Sequence, residues 1–498
     1  SVAFACTEIW NGASMGFALC PLLSEGALAA LNAYASPELK ETFVKRIVSG
    51  EWTGTMNLTE PSAGSDLSAV KTRAEKQPDG TYKISGQKIF ITYGEHDLVD
   101  NICHLVLARA PDAPAGTRGI SLFLVPKFLV NKDGSLGARN DVRCASIEHK
   151  LGIHASPTCV MIYGDNGGAT GYLVGEENRG LAAMFVMMNS ARLGVGLQGV
   201  AVGERAYQQA LDYARERKQG KAGAGPGMSA IVEHPDVRRM LMTMKAQVQA
   251  ARGICHLTGV AIDQSRHGDT KEERDAAAER AALLTPIAKA WSTDVGDEAA
   301  SLGVQVHGGM GYIEETGAAQ HIRDARIAAI YEGTNGIQAI DLVTRKITLS
   351  GGAAAAREIA FVRDIAAKVA GKDGFGACAE RLGAAADALE RATAHLLKTL
   401  GEDQAAALAG AYPYLRLFGI TLGGACLAKA ALAGDAGRVA LARFFAEVLA
   451  PAAPGLADTV VSGAAALAGA ELSARGALFK PFAGRAARRT ALAGAFAR

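Results

Sequence analysis

None of the eight cysteines forms a Cys-x-x-Cys pair; Cys6, Cys20, Cys103, Cys144, Cys159, Cys255, Cys378 and Cys426 are scattered along 498 residues. This spacing argues against a cysteine-rich zinc site or a dense disulfide framework and fits free thiols in a reducing compartment. No uninterrupted apolar run reaches the roughly 20 residues needed to cross a bilayer. No signal peptide is visible in a sequence that starts at Ser1. Net charge is nearly absent, +2 at pH 7, which argues against a strongly basic nucleic-acid surface. These absences predict no metal centre, no membrane span, no nucleic-acid partner and a cytoplasmic location. What is present is burial capacity. Hydrophobic residues make up 49% of the chain, enough for several cores, and the length predicts about two to four domains.

The texture changes along the chain. Residues 1–50 read as helical, with apolar positions at helical spacing in Ala29–Ala33 and Lys40–Ile47. Residues 51–175 alternate short β-rich runs with turn residues, among them Ile89–Thr92, His104–Ala108 and Ile120–Val125. Asp79-Gly80 before Tyr82 is a hairpin-turn signal. Residues 176–350 return to helical period, with helices expected over Asn189–Arg217, Pro235–His267 and Ala276–Val306 and a fourth from Gly336. Four long helices predict a bundle. A glycine-rich segment over residues 219–227 predicts a mobile loop between the first two. Residues 351–498 form an Ala-rich helical part without a chemical motif. Helices are expected there over Ala354–Ala370, Cys378–Leu400, Ala405–Leu432 and Arg438–Leu449, with Pro413 breaking or kinking the third.

Four segments can carry chemistry. In Met56–Asp66 small residues with Pro61 and Gly64 let backbone N–H groups converge on a polar ligand, although an ordinary capped turn has the same composition. Phe90 and Thr92, two apart on a strand, are expected on one face, where they could hold a planar ring or simply half-bury the strand. Glu332, in "IYEGTNGIQ", sits on a loop just before a helix, flanked by Tyr331, Gly333 and Thr334 and enclosed by apolar runs. "GVQVHGGMGY", residues 303–312, permits close backbone approach to a ligand or another chain, or caps a helix. Gly194–Gly199 matches G-x-G-x-x-G but follows no strand, so a dinucleotide site is rejected and close helix packing expected.

In order, "TEPSAGSD", "GQKIFIT", "RLGVG", "ERKQG", "QVHGGMGY" and "IYEGTNGIQ" resemble the acyl-CoA dehydrogenase family over about residues 1–350. The resemblance implies an α+β multidomain fold: a helical N-terminal domain entered part-way, a central β-domain, a four-helix bundle and, here, an additional C-terminal helical domain. It implies FAD as cofactor and α,β-dehydrogenation of an acyl-CoA thioester. By family position Glu332 is the catalytic base, and Ala191, where some relatives carry the base, cannot be one. Leu58, Thr59, Gly64, Ser65, Phe90 and Thr92 would line the flavin, with Phe90 where the family usually has Trp. Thr334 and Gln338 would contact the cofactor of their own subunit. Arg217, Gln305, Gly308 and Gly309 would contact that of a neighbour, so the chain is expected to form a homodimer or larger assembly. Ser65, Asn189 and Arg192 would hold the thioester or CoA, and an electron-transferring flavoprotein would take the electrons. The runs "MNLTEP", "EHKLGIHASPT", "MMNSARLGVG" and "YEGTNGIQAIDL" narrow the implied substrate to 3-(methylthio)propanoyl-CoA, with short- or medium-chain acyl-CoA as the alternative. An oxidase, a DNA-binding relative using the basic run Lys480–Arg498, and a non-catalytic scaffold are the other readings. The basic run is more simply a solvated tail.

Overall fold

A computed structural model of the chain describes residues 2–223 and 227–469. Part of the glycine-rich segment, residues 224–226, and the basic run Lys480–Arg498 lie outside the described residues. The flanks of that segment are tied together, since Gln219 N–H donates to Ser229 O at 3.0 Å and Ser229 N–H donates to Gly220 O at 2.9 Å.

The chain opens with α1 (Val2–Tyr34), kinked at Ser14, and the short turns α2 (Pro37–Leu39) and α3 (Lys45–Ser49). Gly50, at φ 80°, ends α3 and turns the chain into the sheet. Among the described residues ten strands follow: β1 (Trp52–Asn57), β2 (Arg73–Lys76), β3 (Tyr82–Thr92), β4 (Asn101–Ala108), β5 (Ser121–Pro126), β6 (Phe128–Val130), β7 (Leu136–Arg139), β8 (Val142–Ile147), β9 (Thr158–Tyr163) and β10 (Ala169–Leu173). The main sheet runs β1-β4-β5-β10-β3-β9-β8, with β2 on β3; β6 and β7 pair separately. β1 lies parallel to β4, Trp52 beside Asn101, and the remaining pairs are antiparallel.

β4 and β5 are buried at every position, because both faces of the sheet are covered there. Cys103, Leu105 and Leu107 pack with Leu23, Ala27 and Leu31 of α1. Val106 and Ala108 point the other way, into a core with Tyr82, Ile84 and Met161.

The helical part begins with α4 (Gly180–Glu216), α5 (Pro235–His267) and α6 (Lys271–His307). α4 starts nine residues before the expected Asn189. Thr270 and Glu273 form a reciprocal capping box that starts α6. The G-x-G-x-x-G stretch is helical, and its glycines let α4 and α6 touch backbone to backbone. A Cβ on Gly199 would fall 2.3 Å from Ser292 O. α7 (Ala318–Ala325) and α8 (Asn335–Asp341) complete this part. The expected fourth long helix, from Gly336, is short: α8 runs on into a π-turn over Leu342–Lys346, and Ser350 and Gly351, both at positive φ, turn the chain before α9 begins.

The C-terminal helices are α9 (Ala353–Val369), α10 (Cys378–Glu402), α11 (Gln404–Ala409), α12 (Ala411–Ala431), α13 (Ala436–Phe444) and α14 (Ala453–Ala468). The expected break or kink at Pro413 falls instead at Gly410. Pro413 sits in the first turn of α12, where its missing N–H costs no helical bond. These helices share one continuous apolar core with the bundle, which includes Ile254, Ile287, Trp291, Leu382, Tyr414 and Phe418. Contact is closest where α12 meets Trp291: a Cβ on Gly419 would fall 2.3 Å from the Trp291 ring. Gly419→Ala is therefore expected to lower unfolding stability by about 1–3 kcal/mol through overpacking. An unchanged chemical denaturation midpoint would show that Trp291 moves aside freely.

The lack of an uninterrupted apolar run does not exclude helices of span length. Val2–Tyr34, Gly180–Glu216 and Ala436–Ala468 are each long and apolar enough to cross a membrane by length and composition. The expectation counted uninterrupted runs, whereas mean hydropathy tolerates interspersed Ser, Thr and Gly. Most of the apolar window in the first two is buried against other helices, and helices enclosed on several sides become apolar all round.

Two clasps join the sheet to the bundle. The Asp324 carboxylate accepts from Ile153 N–H at 2.5 Å, beside Gly152, whose Cβ position would fall 2.3 Å from Arg323 O. Tyr93, directly after Thr92, donates its hydroxyl to Gly16 O at 2.9 Å and enters the core that holds Leu193.

Candidate active site

The expected site residues fall into three groups. The first surrounds Glu332, on the loop between residues 330 and 335. Glu332 has φ 55° and Gly333 φ 81°. A left-handed Glu is a strained backbone, worth about 1–3 kcal/mol, and persists only where its surroundings hold it. They do so at several points. Thr334 caps α8, its hydroxyl accepting from Ile337 N–H at 3.2 Å. Gln338, fully buried, donates to Glu332 O at 3.2 Å. Lys289 Nζ donates to Gly333 O and to Asn335 Oδ1, both at 2.8 Å. The Tyr331 hydroxyl donates to Gln198 Oε1. The Glu332 N–H makes no backbone hydrogen bond among the described residues.

Glu332 keeps some exposure as a residue, but its Oε2 is buried without a hydrogen-bond partner. Burial pushes its pKa up to about 7, against the opposing pull of Arg192 and Lys289. Burial also pushes Lys289 down to about 7, against the pull of Glu332 and Asp294. Arg192, 8% exposed, is lowered by burial and partly sustained by Asp341 and Glu332. It donates to Asn189 Oδ1 at 3.2 Å, while its Nε is buried without a partner. Arg192, Asn189, Thr334 and Gln338 are thus gathered about one carboxylate suited to take a proton near neutral pH.

The second group is a wall on the sheet. Glu60, 5% exposed, and Lys88, fully buried, form an ion pair at 2.8 Å. Glu60 also accepts from Lys71 N–H at 2.7 Å, Thr72 N–H at 3.0 Å and the Thr72 hydroxyl at 2.6 Å. Lys88 donates onward to Leu58 O at 3.0 Å, and Ile89 N–H donates to Thr59 O at 2.9 Å. The Thr55 hydroxyl accordingly reaches Thr92 O at 2.8 Å. These bonds bring Leu58, Thr59, Phe90 and Thr92 together. The simple two-residue alternation expected for Phe90 and Thr92 does not hold. A bulge lies between Lys88 and Ile91, and Phe90 within it has φ 60° and is 59% exposed. The extra residue lets Lys88 and Ile91 both point inward and turns the Phe90 ring outward. Gly64 and Ser65 lie exposed on the neighbouring turn, which Asp66 caps by accepting from Ser68 N–H at 2.8 Å.

The third group is remote from Glu332. Arg217, Gln305, Gly308 and Gly309 are all exposed at the far ends of α4 and α6. They are joined through Tyr213, which stacks on His307 with ring centroids 4.5 Å apart and accepts Arg217 N–H at 2.9 Å. Arg192 and Arg217 are 25 positions apart on α4, about 37 Å at the helical rise. One chain does not bring this group to the Glu332 loop.

Sequence reasoning missed Glu60, Lys88, Lys289, Asn335 and Asp294. Among the described residues no three His, Cys, Asp or Glu side chains cluster as metal ligands, and all eight cysteines are free. A cleft of about 660 Å³, lined by Glu8, Glu204, Arg205 and Arg252, lies away from the Glu332 loop.

Three family models match the chain. Acyl-CoA dehydrogenase, middle domain, covers residues 55–165; Acyl-CoA dehydrogenase, C-terminal domain, covers 178–347; Acetyl-CoA dehydrogenase C-terminal like covers 360–471. The chain is 52% identical to 3-methylmercaptopropionyl-CoA dehydrogenase of Ruegeria pomeroyi over 441 residues, 87% of this chain and 74% of that protein. It is 42% identical to a butyryl-CoA dehydrogenase of Syntrophomonas wolfei over 368 residues, 72% of this chain and 60% of that one. Among solved structures, an acyl-CoA dehydrogenase complexed with FAD from Bacillus anthracis superposes with a TM-score of 0.74 at 21% identity, over 93% of this chain and 78% of that chain. At that identity the superposition establishes the fold.

Proposed function

Because the chain belongs to the acyl-CoA dehydrogenase family, we propose that it removes hydrogen from Cα and Cβ of an acyl-CoA thioester, with Glu332 as the base. The observation that carries this is the Glu332 carboxylate: one oxygen buried and unpartnered, two cations nearby, a pKa near neutrality and a backbone held in a strained turn. An unperturbed Glu, at about 4.3, is too weak a base for the task. The acyl group is 3-(methylthio)propanoyl. The support is the relative that is 52% identical, whose name carries the same acyl group.

The residues fit FAD. The Phe90 ring is exposed beside the Leu58–Thr59 backbone, and Gln338 Oε1 is buried without a partner near the Glu332 loop. Leu58, Thr59, Phe90 and Thr92 would hold the ring system, with Gly64 and Ser65 at its edge and Thr334 and Gln338 on the loop side. Bound there, FAD supplies an acceptor for the hydride that leaves Cβ. The chain's own residues do the rest. Glu332 takes the α-proton on its free oxygen. Arg192 and Lys289 keep enough carboxylate ionised for that. The Glu332 N–H is available to polarise the thioester carbonyl as charge develops on it. Asn189, Arg192 and Ser65 hold the thioester and the CoA chain.

Arg217, Gln305, Gly308 and Gly309 serve the cofactor of a second copy. The separation of about 37 Å along α4 supports this, since one chain cannot offer both groups to one end of a cofactor. The working form is then at least a homodimer, with an electron-transferring flavoprotein as its oxidant.

The reading predicts that kcat/KM climbs with pH and levels off above about pH 7, as Glu332 loses its proton in the free enzyme. Initial rates from about pH 5 to about pH 9 check this. A flat profile would remove Glu332 as the base. Comparing kcat/KM for 3-(methylthio)propanoyl-CoA and butanoyl-CoA tests the acyl group, and a preference for butanoyl-CoA would overturn that part alone.

A further inference from the structure

Beneath the Glu332 loop, a line of polar groups crosses the bundle and ends in the C-terminal helices. Lys289 on α6 holds Gly333 O and Asn335 Oδ1. Asn335 Nδ2 donates onward to Ala290 O at 3.1 Å, Thr293 Oγ1 at 2.9 Å and Asp294 Oδ1 at 2.7 Å. The other Asp294 oxygen accepts from the Tyr412 hydroxyl at 2.7 Å. Tyr412 lies in the first turn of α12, the helix whose Gly419 and Gly423 rest on Trp291 of α6.

Packing two helices does not require this. A fully buried Lys is usually no better for stability than an apolar side chain of its size. What Lys289 does that an apolar side chain cannot is fix a backbone carbonyl one residue from Glu332. That carbonyl belongs to Gly333, in the stretch where two successive residues take positive φ. From these contacts we propose that Tyr412, Asp294, Asn335 and Lys289 together position the Glu332 loop, making the C-terminal helical layer part of the catalytic scaffold. This rests on Glu332 being the base. All four act through that loop and are positioning residues.

The charges reinforce the geometry. Lys289 is faced by Glu332 from the loop, Asp294 from its own helix and Arg192 from α4. Asp294 is faced by Tyr412 and Arg416 from α12, Asn335 from α8 and Asp297 from α6. The Tyr412 hydroxyl favours the Asp294 carboxylate, which favours the Lys289 ammonium, which favours the Glu332 carboxylate. Removing any link shifts Glu332 in one direction, toward holding its proton at higher pH.

The test uses the full-length, FAD-loaded protein carrying Tyr412→Phe or Lys289→Met. Tyr412 is partly exposed and loses only an oxygen, so this variant remains informative even if Lys289→Met fails to fold. Three readouts are compared with wild type: kcat and KM, the acidic limb of the kcat/KM profile, and amide hydrogen exchange of residues 331–335. In Tyr412→Phe, kcat falls by about tenfold with KM little changed; in Lys289→Met the fall approaches about 100-fold. In both, the limb moves to higher pH and exchange of the loop amides quickens. A kcat loss in Tyr412→Phe without movement of the limb or of exchange would mark a merely structural residue and overturn the proposal. Wild-type values on all three readouts would overturn it equally. If wild-type protein shows no turnover with any acyl-CoA, the dehydrogenase reading fails by itself. The exchange result then still decides whether the loop is clamped.

Discussion

Glu332→Gln is expected to keep the flavin and to slow its reduction by substrate about 10²–10⁴-fold, the usual contribution of a positioned general base. Gln matches Glu in size and keeps the backbone, but its amide cannot accept the α-proton. The variant should fold at least as well as wild type, which separates lost chemistry from lost structure. Burial raises the folded-state pKa of Glu332 to about 7, above its value in an unfolded chain. A raised carboxylate makes its full contribution to stability only below the unfolded pKa, and that contribution is lost as pH rises toward 7. Above pH 7 the wild type therefore carries an unfavourable buried charge that Gln lacks. Its melting temperature at about pH 8 should be no lower than that of wild type. Near-normal flavin reduction in this variant would exclude Glu332 as the base.

Glu60→Ala should lower unfolding stability by about 3–5 kcal/mol, because it strands Lys88 as a buried, unpaired cation. The same change removes the acceptor for Lys71 N–H, Thr72 N–H and the Thr72 hydroxyl. It also loosens the hold of Lys88 on Leu58 O, so flavin retention should weaken with stability. Two further observations distinguish this cause from a general packing defect. The double variant Glu60→Met with Lys88→Met should recover the part of the loss that comes from the stranded cation and leave the part that comes from the three unpaired donors. The deficit of the single variant should also shrink as pH rises toward about 10, where an unfolded Lys too begins to lose its proton. Urea unfolding at two pH values measures both. A single variant as stable as wild type would show that the pair contributes little.

Much of the architecture is legible because its causes are local. Helical period marks α5 to the residue and the β-rich run to within a few. The apolar flanks of Glu332 and its glycine announce an enclosed loop. What escapes notice depends on partners distant in sequence. Lys88 and Glu60 are 28 positions apart, and Lys289 and Asn335 are 46 apart. Each Lys looks like an ordinary surface residue in isolation. A signal exists nonetheless. Lys88 has the parity of Tyr82 and Ile84 on β3, the inward face. Lys289 sits among Leu283, Leu284, Ile287, Ala288, Ala290 and Trp291, all buried. A lone cation on an apolar face is the mark of an internal partner. The bulge at Phe90 leaves no comparable trace, since "KIFI" reads as a regular strand. Nor does the shortness of the fourth helix, which gives way to a π-turn over Leu342–Lys346 with no Pro or Gly there to mark it.

The most direct test of the central claim is an anaerobic titration of the FAD-loaded protein with 3-(methylthio)propanoyl-CoA, following the flavin absorbance. The account predicts that the absorbance bleaches as substrate is added, that the α,β-unsaturated thioester appears in step, and that Glu332→Gln binds the same substrate without bleaching. An absorbance unchanged by this and by other acyl-CoA thioesters, with FAD bound, would contradict it.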